Sequence, residues 1–123
     1  MAKSPILFVI AAIPFAGAAL FHLYGLVTSL GDMKLAAFHG AFVVVDPVTA
    51  FLLLRRPNWF PYAFAVLTVQ QVYSHGMDAL NAWRDTGSVD FVSLFIVIFM
   101  PALLALLIYD AVNRKSQTQL PAA

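Results

Sequence analysis

Four apolar stretches make up nearly all of this chain, and only short polar turns separate them. They cover residues 5–30, 35–54, 59–83 and 91–112. At about 1.5 Å rise per residue, each is long enough to cross a hydrocarbon core of ~30 Å. The turns are Gly31-Asp32-Met33-Lys34, Arg55-Arg56-Pro57-Asn58 and the segment from Arg84 to Asp90, all punctuated by Gly or Pro. Connections this short force antiparallel neighbours. The pattern predicts an all-α integral membrane fold, a four-helix up-down-up-down transmembrane bundle over residues 1–113. The polar segment 114–123 reads as a disordered tail.

Composition leaves little room for a soluble alternative. Hydrophobic residues make up 62% of the 123 positions and charged residues 11%, and the mean hydropathy is +0.85. A soluble domain of this length buries only about two-thirds of its unfolded surface, so the lipid bilayer must serve as part of the solvent. A net charge of +1 leaves no basic surface for nucleic acid. With no cysteine, disulfides, thiolate metal sites, iron–sulfur clusters and thiol catalysis are excluded. Lys3 alone is a weak signal-peptide start, and the first apolar run continues to Leu30, so a retained membrane helix is expected.

Basic residues set the expected orientation. Lys3, Arg55, Arg56, Arg114 and Lys115 fall on one side, whereas Lys34 and Arg84 on the other each sit near an Asp. The positive-inside rule places both termini and the Arg55-Arg56 turn in the cytoplasm, in a plasma (inner) membrane. Trp59, Phe60, Tyr62 and Trp83 suit the two interfacial belts. Pro14, Pro47 and Pro101 lie inside spans, where each removes a backbone hydrogen bond and is expected to kink its helix.

Against this background every ionisable group inside a span is an expense, at least ~2.5–3.5 kcal/mol at mid-bilayer. Five stand out: His22, His39, Asp46, His75 and Asp78. His22 lies about 12 Å below the outer end of its span, His39 about 7 Å and His75 about 12 Å, so three histidines share one slab of the outer half. Gln71, His75 and Asp78 follow one helical stripe, as do His39 and Asp46. His22 lies on a stripe with Ala18, Gly25 and Ser29, small residues of the kind that let membrane helices approach closely.

Three kinds of function fit this set. Three imidazoles with Asp78 as ligand or orienting partner can hold a divalent transition metal, and two of the imidazoles can ligate a haem b from both faces. No metal-binding motif spacing is present to single out that reading. Alternatively, Asp46, Gln71 and His75, with His39, can form a proton relay or a small-ligand pocket in a proton-linked carrier or a binder of lipophilic ligands. Lastly, the same groups can act as hydrogen-bonding glue in an assembly subunit, at about 0.6 kcal/mol per contact. Glue explains Asp46 least well, since no Lys or Arg lies within the spans to pair with it. A homo-oligomer or a larger membrane complex is expected of so thin a bundle. Tyr24, Tyr73, Tyr109, Met77 and Met100 read as packing residues.

Two broader resemblances complete the reading. His22 precedes Asp32 by ten residues, as His75 precedes Asp85; Pro47 follows Asp32 by fifteen and Pro101 follows Asp85 by sixteen. These spacings fit a duplicated helical hairpin, and fit chance equally well, since little else matches between the halves. The four-span layout with intramembrane His and carboxylates is similar in outline to sterol-isomerase-like membrane bundles. No motif of theirs matches residue by residue, so the resemblance assigns no site residue.

Overall fold

A computed structural model describes residues 5–118. The described chain is all helix: α1 (Pro5–Thr28), α2 (Met33–Arg55), α3 (Phe60–Thr86) and α4 (Phe91–Thr118). It divides into two compact units, Met1–Pro57 and Asn58–Ala123. Each unit is one hairpin, α1 against α2 and α3 against α4.

In the first hairpin the turn is built by side chains that meet the unpaired backbone groups of helix ends. Ser29 Oγ donates to the Gly25 carbonyl at 2.6 Å. Asp32 is extended and caps α2, its Oδ1 accepting from the Lys34 and Leu35 amides at 3.0 and 3.2 Å. At the far end Arg56 adopts the left-handed conformation, φ 48°, and its amide closes α2 onto the Leu52 carbonyl at 2.7 Å. Its guanidinium lies 4.9 Å from the centre of the Phe8 ring, and Arg55 lies 5.4 Å from that of Phe51. Phe8, Ala11, Ala12 and Phe15 of α1 are buried, as are Asp46, Thr49 and Leu53 of α2.

The second hairpin uses different ends. Pro61 sits in the first turn of α3, where its missing N–H costs nothing. Gly87, at φ 65°, closes α3 onto the Trp83 carbonyl at 2.9 Å, a conformation that suits a residue without Cβ. Asp90 caps α4. Phe60, Phe64 and Thr68 of α3 are buried, with Ser93, Met100, Leu103, Leu107, Asp110 and Ala111 of α4.

α1, α2 and α4 hold segments long and apolar enough to cross a membrane: Ile6–Thr28, Met33–Arg55 and Phe91–Ser116. α3 is as long as the others but carries Gln70, Gln71, Ser74, His75, Asp78 and Asn81 at helical intervals, and this polar stripe keeps it outside that set. The helices run through Pro14, Pro47 and Pro101 without interruption. α4 also runs past residue 113 to Thr118, where composition alone reads as a disordered tail. Its polar last turns gain an Asp110–Arg114 pair, and Ser116 Oγ donates to the Val112 carbonyl at 3.2 Å. Residues 119–123 of that tail lie outside the described residues.

Candidate functional site

The first hairpin gathers three of the five ionisable groups into one chain. His22 on α1 and His39 on α2 meet through their Nδ1 atoms at 2.9 Å. His22 Nε2 lies 3.7 Å from Asp46 Oδ2. Each histidine thus bridges toward the next group, and Asp46 forms the far end of the array.

The local sequence explains why the rings can meet. Gly25 leaves a bare stretch of α1 opposite His39. A Cβ placed there would lie 2.6–2.7 Å from three atoms of the His39 ring, well inside contact distance. Aromatic side chains wall the pair in. Phe42 stacks on His22, with ring centres 5.0 Å apart and planes 25° apart, while Phe21 and Phe38 meet the rings edge-on. The stacked Phe42 face suits a positively charged imidazole. Asp46 itself is 5% exposed. Its Oδ2 is buried and has no hydrogen-bond partner among the described residues; 3.7 Å is ion-pair distance, not hydrogen-bond distance. A buried carboxylate in that state lowers its cost by facing a cation or by taking a proton.

Hydrogen-bond bookkeeping limits the tautomers. In a neutral pair one Nδ1 must donate and the other accept. If His39 donates, His22 is the Nε2–H form and aims that proton at Asp46 Oδ2, leaving Nε2 of His39 as the free acceptor. All three groups are then used without contradiction.

The second hairpin holds a different arrangement. His75 Nδ1 lies 3.2 Å from Ser93 Oγ. Ser93 Oγ donates to Asp90 Oδ2 at 2.7 Å, and the Ser93 amide donates to Asp90 Oδ1 at 3.0 Å. Those two hydrogen bonds hold the Asp90 carboxyl below the usual carboxylate range. With its own proton committed to Asp90, Ser93 can only accept from His75, so it is not a nucleophile activated by a base. Asp78 Oδ2 is 3.9 Å from His75 Nδ1, and its side chain is 60% exposed.

This geometry revises the expected groupings. Among the described residues no set of three or more His or Asp side chains is placed to hold a metal ion. His22 and His39 spend their Nδ1 atoms on each other, and His75 and Asp78 sit with Ser93 in the other hairpin, so the expected metal or haem set His22, His39, His75 and Asp78 has no support here. Of the alternative set, Asp46 belongs to the first hairpin, and Gln71 and His75 to the second. Asp46 joins His22, and the Gln71 amide donates to Gln70 at 2.8 Å.

One buried ionisable residue escapes the sequence reading altogether. Asp110 is 9% exposed and pairs with Arg114 Nε at 2.9 Å, one helical turn away. The i, i+4 spacing of Asp and Arg at the polar end of an apolar run is the signal that would have found it.

Fold and composition together define a small all-helical protein with three helices able to cross a membrane. No family model matches the chain, and neither curated proteins nor solved structures give a match.

Proposed function

We propose that the chain is a multi-pass membrane protein that conducts protons from one membrane face to a mid-membrane carboxylate, as the proton-handling core of a small carrier. The observation that carries this reading is the continuous His39–His22–Asp46 array inside an apolar hairpin. α3 packs along α4 in a short-turned hairpin, so if α4 crosses the bilayer α3 crosses with it. Four crossings put both termini and the Arg55-Arg56 turn on the cytoplasmic side of the plasma membrane.

In the relay each step conserves protons. A proton from the outer aqueous side joins Nε2 of His39. The Nδ1–H proton of His39 passes to Nδ1 of His22, and the Nε2–H proton of His22 passes to Oδ2 of Asp46. Each ring gains one N–H bond and loses one, and the carboxylate becomes neutral; flux continues when Asp46 releases this proton to the inner side and both rings return to their starting tautomers. The 3.7 Å gap to Asp46 must close by roughly half an ångström for the last transfer, a shift within side-chain motion.

Proteoliposomes loaded with a pH-sensitive dye test the proposal. With an imposed pH gradient, wild-type protein should acidify the lumen faster than empty vesicles, and Asp46→Asn should match empty vesicles while keeping wild-type helix content. Equal rates for wild type and Asp46→Asn would remove the proposal.

A further inference from the structure

The two hairpins share more than their topology. His22 and His75 are fifty-three positions apart, and the same shift carries Phe8 to Pro61, Ala11 to Phe64 and Phe15 to Thr68. All six of these packing positions are buried. After the turn the shift becomes fifty-four. It carries Pro47 to Pro101, and Asp46, Thr49 and Leu53 to Met100, Leu103 and Leu107. These six are also buried, Leu53 at 0% and Leu107 at 1% exposure. One inserted residue between the helices therefore brings the proline, the histidine and the buried faces into a common register.

The polar contact obeys the same register. His22 touches His39, and His75 touches Ser93, the position equivalent to His39. The residues opposite have changed in the reverse sense. Gly25, over which the His39 ring lies, corresponds to Asp78. A large ring faces a glycine in the first hairpin, and a small hydroxyl shares its level with an aspartate in the second. Bulk has been exchanged across the contact rather than lost.

We propose that the chain is two copies of one helical hairpin, and that His75 with Ser93 and Asp90 is the second copy's proton-holding site, turned toward the water at the end of its hairpin. The first copy's array leads inward to Asp46. The second has Met100 at that register, and its chain leads outward to Asp90 at the turn. Ser93 accepts from His75 Nδ1–H, so the ring's free acceptor is Nε2. A proton from water bonds there with no other bond broken. The charged groups facing the resulting imidazolium are Asp78 on α3 and, through Ser93, Asp90 at the start of α4, both acidic. The proton-holding part of this inference rests on the relay reading of the first hairpin; the repeat does not.

Ring 15N NMR of histidine-labelled full-length protein in nanodiscs tests both parts. Wild type should show one coupled pair of ring nitrogens, from His22 and His39, and His75 in the Nδ1–H form when neutral. Asp78→Gly combined with Ser93→His should add a second coupled pair between positions 75 and 93. A folded double variant with one pair only, or a double variant that no longer folds, would overturn the shared register. Ser93→Ala should release His75 from the Nδ1–H form, and an unchanged tautomer would overturn the second site. Failure of the relay in the first hairpin is read separately, in the Asp46→Asn flux assay.

Discussion

The first hairpin places a carboxylate where the second places a thioether. Asp46 and Met100 occupy the same register, one residue before a proline, and both are buried. His22 faces Asp46 at 3.7 Å, whereas its equivalent His75 contacts Ser93. The fold therefore does not require a charge at this position, since the second hairpin is built without one. A group that is costly in a membrane and unnecessary for the hairpin is best explained by what it does. The same comparison explains the imidazole pair. Gly25 makes room for a second ring, whereas the second hairpin uses Ser93 and needs no such gap.

The sharpest way to break this comparison is to exchange the two residues. Met100→Asp should cost at least ~2.5–3.5 kcal/mol, because it places a carboxylate at a position that is only 3% exposed. It is read as a lowered unfolding midpoint in detergent, or as loss of membrane insertion. The converse, Asp46→Met, should raise stability by about 1–3 kcal/mol, since it removes a buried oxygen that lacks a hydrogen-bond partner, while ending proton conduction. If Asp46→Met instead destabilises, the carboxylate is structural.

Glycine substitutions probe the ring pair with a smaller effect. Gly25→Ala should cost about 1–3 kcal/mol through overpacking and should abolish the His22–His39 nitrogen coupling. Gly76→Ala in the second hairpin meets nothing within 4 Å and should be neutral or stabilise by up to ~1 kcal/mol through helix propensity. Equal destabilisation by both would show that the close approach at Gly25 is not specific.

The smallest effects belong to the caps. Asp32→Ala should cost ~1 kcal/mol through loss of the α2 cap, and Asp90→Ala should loosen the start of α4. The Asp90 carboxyl is held below its unfolded value by the Ser93 amide and hydroxyl. Its contribution is therefore fully present above the ordinary carboxylate range and is lost as pH falls through the lower, folded value. Protection from hydrogen exchange at the start of α4, taken relative to the intrinsic rate at each pH, should fall only in acid, below about pH 4, and that acid dependence should vanish in Asp90→Ala.

Much of the architecture was legible in the sequence because a membrane enforces it. Continuous helices over the apolar runs follow from backbone satisfaction in lipid, and their ends follow from the turn chemistry at Gly31-Asp32 and Gly87. Shared depth correctly brought His22 and His39 to one level. Depth does not single out Ser93, the hydrogen-bond partner of His75 within its own hairpin. Sequence spacing put His39 and Asp46 on one face, but the nitrogen that comes nearest Asp46 belongs to His22, on the other helix. Asp110 was missed because its partner lies beyond the apolar run that defines the span.

The central claim is that Asp46 receives its proton through the two imidazoles. Infrared spectroscopy after a rapid drop in pH measures it directly, through the carbonyl band of a protonated carboxyl that is absent in Asp46→Asn. His22→Phe and His39→Phe keep ring shape but remove the nitrogens, and either should slow the appearance of that band by at least about tenfold. A band that appears at the wild-type rate in both variants would show that protons reach Asp46 by another route and would contradict the account.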